Sequence, residues 1–181
     1  MRTPRILLVG MMGCGKTTTG GLVARRLGWD YRDSDADVEA LTGHTVPEIF
    51  ERDGEDAFRK AEAEVLATAC NSERPTVIAV AGGAVLSADN RRLIRECGTV
   101  VWLQAEPHRL AERVGDGAGR PLLDGDKDEI MARLLAERAP HYAEVADAAI
   151  DVDHLTPDQV ADRVLDAAGI RPPGTPATSS N

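Results

Sequence analysis

The sequence has few aromatic residues and no long apolar run, and both shortages narrow the classes of protein to which it can belong. Phe, Trp and Tyr make up 3% of the 181 residues, so the core must consist mainly of Val, Leu, Ile and Ala. No apolar stretch approaches the roughly 20 residues of a membrane-spanning helix, and the N-terminus lacks the apolar segment of a signal peptide. These features predict a cytoplasmic protein that does not enter a membrane.

Cysteine and basic residues are also scarce. Cys14, Cys70 and Cys97 are odd in number and lack metal-ligand spacing, which argues against a disulfide framework or a zinc site. The chain has 21 Lys and Arg residues and 30 Asp and Glu residues, which give a formal net charge of −9. This charge disfavours nucleic acid and anionic membranes as partners. Any anion that the protein binds must be held by locally placed basic groups.

One glycine-rich stretch has a specific chemical meaning. Residues 10–17 read Gly-Met-Met-Gly-Cys-Gly-Lys-Thr and match the phosphate-binding P-loop pattern G-x-x-x-x-G-K-[ST]. Glycines let successive backbone N–H groups turn toward phosphate oxygens, and a helix that begins at Lys16 adds its positive end to the same anion site. We expect Lys16 to reach the β- and γ-phosphates and the Thr17 hydroxyl to bind Mg²⁺.

The flanking residues supply the context that a P-loop requires. The apolar run at 6–9 predicts a buried parallel strand. Thr19, Val23 and Leu27 then recur every four residues up to Gly28, which predicts a helix with a glycine stop. Strand, glycine loop and helix in this order weigh strongly against an incidental glycine-rich turn.

Strands and helices alternate along the rest of the chain. Further strands are predicted at 29–32, 77–80, 99–103 and 149–152. Capping-box spacing at Thr45 and Thr156 marks two helix starts, and Pro140 is expected to kink or divide a long helix from Lys127 to about Val145. The pattern predicts one three-layer α/β/α domain over residues 1–170, with a central five-stranded parallel sheet. The Pro-, Thr- and Ser-rich segment 171–181 is expected to be a disordered tail.

Two carboxylates, Asp33 and Asp35, follow the second predicted strand, at the sheet edge where the P-loop also lies. Asp33 could bind Mg²⁺ directly or through water, while Asp35 could accept hydrogen bonds from a hydroxyl group and help to deprotonate it. The alternative is an Asx turn that caps the next helix, which Asp and Ser favour. The neighbouring P-loop favours the chemical role.

Three arginines are the remaining cationic candidates. Arg59 and Arg138 lie on predicted helices, and their spacing alone favours the usual surface ion pairing of arginine. Arg120 lies in an irregular glycine-rich stretch at about 115–126. Such a stretch could act as a lid that brings the guanidinium onto a transferred phosphate. An ordinary exposed loop arginine is the alternative.

Together these segments resemble the shikimate kinase family, within the nucleoside-monophosphate-kinase-like group of P-loop proteins. The resemblance extends from Arg5 to about Gly169. It rests on the residues at 10–17, 33–35, 49–50, 53–54, 58–59, 82–85, 119–123 and 137–142.

The resemblance implies transfer of the ATP γ-phosphate, with one Mg²⁺ ion, to the 3-hydroxyl of shikimate, on the route to aromatic amino acids. Nucleotide contacts are implied for Gly13, Cys14, Gly15, Lys16, Thr17, Thr18, Arg113 and Arg120. Shikimate contacts are implied for helices at about 36–70 and for Asp35, Arg59, Gly82, Gly83 and Arg138. The implied metal site is Thr17 and Asp33, and the implied catalytic residues are Lys16, Asp35 and Arg120. The family is largely monomeric, which implies a monomer here.

Two positions depart from the family pattern. Ala81 stands where the family usually has the first of three glycines, and residues 151–154 read Asp-Val-Asp-His where it often has an arginine near adenine.

The nearest alternative activity is that of a kinase for another small polyhydroxy acid, such as gluconate. A nucleotide-dependent switch is disfavoured because the chain has no Asn/Thr-Lys-x-Asp guanine-reading motif. The presence of Lys16, Thr17, Asp33 and Asp35 argues against a binding module that has lost catalysis.

Overall fold

The computed structural model of the chain describes residues 3–114 and 126–171. Five parallel strands form one sheet in the spatial order β2-β3-β1-β4-β5. Their bounds are β1 Arg5–Val9, β2 Asp30–Asp33, β3 Thr76–Ala79, β4 Thr99–Gln104 and β5 Ala148–Asp151. The predicted five-stranded parallel sheet is confirmed.

Seven α-helices and a short 3₁₀ helix at Ala84–Leu86 lie within the described residues. The α-helices are α1 Lys16–Leu27, α2 Ser34–Thr42, α3 Val46–Cys70, α4 Ala88–Cys97, α5 Pro107–Val114, α6 Lys127–Val145 and α7 Pro157–Ala168. Helix α1 packs beside α7, whereas α4 packs against α3 and α6. These two groups cover the sheet as the predicted α/β/α layers. None of the described helices is long and apolar enough to cross a bilayer.

Local sequence signals set most helix ends. Capping boxes at Thr45 and Thr156 start α3 and α7, as predicted, and a left-handed glycine follows α1 at Gly28. Helix α3 is interrupted at Gly54, which has a φ of 82°. Of the two effects expected of Pro140, it does not divide α6, which continues to Val145. Proline removes only one N–H donor from the helix, and buried residues on both sides of it hold α6 against the fold.

The core contains two separate apolar clusters. The larger one surrounds the sheet, and β1 and β3 are buried along nearly all of their length. The smaller one joins α2 to α3 and consists of Val38, Ile49, Phe58, Ala61 and Val65. It supports the helical segment in which the resemblance places acceptor binding.

Two predicted segments fall outside the described residues. The stretch 115–126 is described only at Asp126, which caps α6, so Arg120 and its role as a lid arginine remain predictions. The tail is described only at Arg171, and its disorder also remains a prediction.

Candidate active site

Loops at the carboxyl edge of the sheet border a cavity of about 510 Å³. The P-loop after β1, the Asp33–Asp35 turn after β2 and residues 79–83 at the end of β3 meet there with α3 and α6. Twelve predicted site residues line it: Gly13, Gly15, Lys16, Thr17, Thr18, Asp33, Asp35, Arg59, Gly82, Gly83, Arg113 and Arg138. The fold therefore brings groups from distant parts of the sequence to one place.

Two features of the P-loop suit an anion. Gly15 has a left-handed φ of 95° directly before α1 and has no side chain with which to cap the helix, so the first-turn N–H groups remain available. The Lys16 ammonium donates to the carbonyl oxygens of Gly10 and Met11 at 2.8 and 2.9 Å, and thus lies over the loop. Positive charge and uncapped amides converge on the same surface.

Cys14 differs from its neighbours in the P-loop. Its side chain is only 3% exposed and packs into the main core rather than lining the cavity. Its backbone N–H donates to the carbonyl oxygen of Met11 at 3.3 Å. The thiol of Cys14 therefore faces the core, and a nucleotide contact by its N–H would have to replace the bond to Met11.

Asp33 forms the Asx turn that the sequence offered as one alternative, and its other carboxylate oxygen faces the P-loop. Its Oδ1 accepts from the backbone N–H of Asp35 at 3.1 Å and caps α2. Its Oδ2 accepts from the hydroxyls of Thr17 at 2.8 Å and Tyr31 at 3.0 Å. The Asx turn thus points the second carboxylate oxygen toward the P-loop.

The chemistry of this pair fits Mg²⁺. A threonine hydroxyl and a carboxylate are hard oxygen ligands, and Mg²⁺ is commonly held by one or two carboxylates together with substrate phosphates. In the described ranges, no group of three or more His, Cys, Asp or Glu side chains forms a metal cage. Thr17 and Asp33 therefore suit an ion that arrives with a nucleotide.

Arg59 is fixed by contacts on two sides. Its Nη1 donates to both carboxylate oxygens of Glu62, at 3.1 and 3.2 Å, and its Nη2 donates to Glu55 at 3.0 Å. The guanidinium also lies against the backbone of Gly83, where an added Cβ would overlap Nη1 and lie 2.8 Å from Nη2. Arg59 makes the ion pairs that its spacing predicts, but it makes them at the wall of the cavity.

Arg138 is a buried residue, so the prediction that it forms a surface ion pair is wrong. Its side chain is 2% exposed, and its Nε has no hydrogen-bond partner among the described residues. Position 138 faces inward because α6 passes beside the loop after β3, where Tyr142 donates to the carbonyl oxygen of Gly82 at 2.7 Å. A buried guanidinium without a full set of acceptors is suited to an anionic ligand.

Both departures from the family pattern lie at or near the cavity. Ala81 is buried and lines the cavity. Asp153 lies 3.6 Å from Arg113 and accepts from the backbone N–H of Glu106 at 2.8 Å. The acidic residue thus pairs with the arginine for which the resemblance implies an adenine contact.

A family model described as shikimate kinase matches residues 12–168 of the chain. The chain belongs to the shikimate kinase family. The shikimate kinase of Moorella thermoacetica is 46% identical over 162 residues, which cover 90% of this chain and 92% of that protein. The shikimate kinase of Streptomyces avermitilis is 42% identical over 171 residues, which cover 94% and 99%.

Solved structures agree with this family membership. A structure of shikimate kinase from Acinetobacter baumannii in complex with shikimate has a TM-score of 0.86 and 36% identity, covering 91% of this chain and 92% of that chain. A gluconokinase from Sinorhizobium meliloti has a TM-score of 0.61 and 20% identity, covering 93% and 94%. The gluconokinase shares the fold, and the likeness to it is distant.

The sequence patterns did not single out Glu62, which lines the cavity, or Tyr31, which contacts Asp33. Glu62 is 1% exposed, and its pKa is raised to about 6. Burial is the largest cause of the rise, Asp35 adds to it, and Arg59 acts in the opposite direction. The sequence did contain a signal for the burial of Glu62, because it lies three residues after Arg59 and shares a helix face with Phe58 and Val65. For Tyr31 the hydroxyl contact depends on tertiary placement, and no sequence signal identifies it.

The raised pKa of Glu62 predicts a pH-dependent stability. Folding raises this pKa from 4.5 to about 6, so the folded state binds the proton more tightly than the unfolded state does. The stabilising contribution is complete below pH 4.5 and is lost as the pH rises through about 6. We expect the wild type to lose roughly 2 kcal/mol relative to Glu62→Gln across a window from about pH 3.5 to about pH 7, which brackets both pKa values. Urea unfolding of both proteins at the two ends of the window measures the difference.

The exposed neighbour Glu64 provides the control, because Glu64→Gln should show no such change in relative stability. A difference between wild type and Glu62→Gln that stays constant with pH would contradict the prediction.

Proposed function

We propose that this chain transfers the γ-phosphate of ATP to the 3-hydroxyl of shikimate, giving shikimate 3-phosphate and ADP. One observation carries the proposal: Arg59 of α3 and Arg138 of α6 line the same cavity as the P-loop. A pair of guanidinium groups beside a phosphate-binding loop suits an acceptor that carries a carboxylate. Membership of the shikimate kinase family supports shikimate as that acceptor.

Arg138 and Arg59 would bind the carboxylate of shikimate. An arginine fork can make two parallel hydrogen bonds to a carboxylate, and two arginines at an angle define its orientation. Ionised Glu62 keeps Nη1 of Arg59 in place, while the contact with Gly83 limits its movement. The backbone of Gly82, next to Tyr142, would contact the carboxylate or a nearby hydroxyl.

Asp35 would orient the hydroxyl that accepts the phosphate and take its proton. It lies in the first turn of α2 and lines the cavity, and its charge contributes to the raised pKa of Glu62. A carboxylate within reach of a hydroxyl holds it by a charge-assisted hydrogen bond and polarises it for attack.

The P-loop would hold the phosphates. Lys16, Thr18 and the backbone of residues 13–15 face the nucleotide in this proposal, and Arg113 lies toward adenine. Thr17 and Asp33 would hold Mg²⁺, which neutralises charge on the phosphates when it is bound. Arg120 remains a proposed lid arginine from the sequence alone.

We also infer that the enzyme acts as a monomer, since the family that the sequence resembles is largely monomeric. Light scattering at assay concentration tests this, and a stable dimer would contradict it.

A coupled ADP-release assay with shikimate, with gluconate and without acceptor tests the function. We expect rapid release with shikimate and little with the other two. Phosphorus–proton correlation by NMR should then locate the phosphate on the 3-hydroxyl. Turnover with gluconate equal to that with shikimate, or release independent of any acceptor, would contradict the proposal.

Arg138→Lys should raise the KM for shikimate by ~10- to 100-fold and that for ATP much less. Lysine keeps the charge and loses the fork, and a lost hydrogen bond between charged groups is worth about 1.5–3 kcal/mol. Steady-state kinetics with each substrate varied in turn measures both constants. The exposed Arg133 of the same helix gives the control variant, Arg133→Lys. Equal effects on both substrates would instead place Arg138 at the nucleotide or in general packing.

A further inference from the structure

Tyr31 makes a side-chain contact that the transfer chemistry described above does not use. It lies on β2, two residues before Asp33, so both side chains project from the same face of the strand. Its hydroxyl donates to Oδ2 of Asp33 at 3.0 Å, and the Thr17 hydroxyl donates to the same oxygen at 2.8 Å. Tyr31 therefore touches the carboxylate oxygen that faces the P-loop.

The ring of Tyr31 is held in place by the helix that follows the P-loop. A Cβ on Gly20 of α1 would lie 2.6 Å from Cε2 of the ring and 3.4 Å from Cδ2. Only glycine at this position lets the ring approach α1 so closely. The hydroxyl is thus delivered to Asp33 from a ring that packs on the same helix as Thr17.

Asp33 is oriented by three donors from three elements. The backbone N–H of Asp35 holds Oδ1, while Thr17 and Tyr31 hold Oδ2. The Thr17 hydroxyl has a second proposed role at the metal ion. Tyr31 has none, so its hydrogen bond can keep the carboxylate plane fixed while Thr17 engages the metal.

We propose that Tyr31 is a positioning residue for the divalent cation that accompanies ATP, acting through Asp33. The proposal rests on the proposed metal role of Thr17 and Asp33. Groups that orient a metal ligand commonly change metal affinity by 10- to 100-fold when they are removed. The Tyr31 hydroxyl should therefore lower the concentration of cation that the enzyme needs, with little effect on binding of the acceptor.

Tyr31→Phe tests this, because it removes the hydroxyl and keeps the ring that packs on Gly20. We expect the Mg²⁺ concentration for half-maximal activity to rise roughly 10-fold. Mn²⁺ affinity for the enzyme–ADP complex, measured by electron paramagnetic resonance, should fall by a similar factor. The KM for shikimate and the melting temperature should stay close to wild type.

Tyr142→Phe is the matched control, since it deletes the other tyrosine hydroxyl of the chain, which contacts Gly82 and not Asp33. It should leave Mn²⁺ affinity unchanged. Unchanged Mn²⁺ affinity in Tyr31→Phe, alongside a clear loss in Asp33→Asn, would overturn the role of Tyr31 and leave the metal site intact. Unchanged affinity in Asp33→Asn would overturn the metal assignment itself and the positioning role with it.

Discussion

Replacing Lys16 by alanine should lower kcat by at least ~10²-fold, the loss typical of removing a preorganised electrostatic group. The ammonium of Lys16 lies over the P-loop, held by the carbonyl oxygens of Gly10 and Met11. Negative charge shifts on the γ-phosphate during transfer, so this positive charge should stabilise the transition state more than bound ATP. Steady-state turnover with both substrates saturating measures the effect.

Lys60→Ala is the matched control, because Lys60 is an exposed residue of α3 that does not line the cavity. Its turnover should equal that of the wild type. Circular dichroism and melting temperature establish that the Lys16 variant is folded. Near-normal turnover in a folded Lys16→Ala protein would contradict the P-loop assignment.

Replacing Asp35 by asparagine should remove most phosphate transfer and leave ATP binding nearly unchanged. The amide keeps the shape of the side chain and loses the negative charge that orients and polarises the acceptor hydroxyl. General-base contributions of this kind are worth roughly 10²–10⁴ in rate. Calorimetric titration with ATP and Mg²⁺ measures binding, and the ADP-release assay measures transfer.

Asp37→Asn serves as the control for Asp35. Asp37 lies on the same helix and pairs with Arg32 at 2.7 Å, outside the cavity lining. Its loss should leave turnover within a factor of a few. If Asp35→Asn also keeps shikimate-dependent turnover within that range, Asp35 serves only to form the turn.

The order and type of the elements could be predicted because their signals are local. The P-loop glycines, the capping boxes at Thr45 and Thr156 and the glycine stop at Gly28 act within a few residues of themselves. The spatial strand order β2-β3-β1-β4-β5 depends on which strands pair across long separations, and no local pattern reports it. Pro140 also shows that local sequence signals do not decide everything, because α6 continues through this proline, held by its packing.

The site was predictable in part for a related reason. Loops that follow parallel strands meet at one sheet edge, which brings Lys16, Asp33 and Gly82 together by topology alone. Helical residues are different, because spacing does not say whether Arg138 faces solvent or the cavity. Its burial and the raised pKa of Glu62 follow from the way that α3 and α6 pack against the loop after β3.

The contact between Arg59 and Gly83 makes two distant positions of the chain sterically dependent on each other. Any side chain at position 83 would begin in the space that the Arg59 guanidinium occupies. Such a mutation acts first on the arginine, which would have to leave the cavity wall or break its bonds to Glu62. A variant that removes Arg59 frees this space for a side chain at position 83, whereas one that keeps Arg59 in this place requires glycine there.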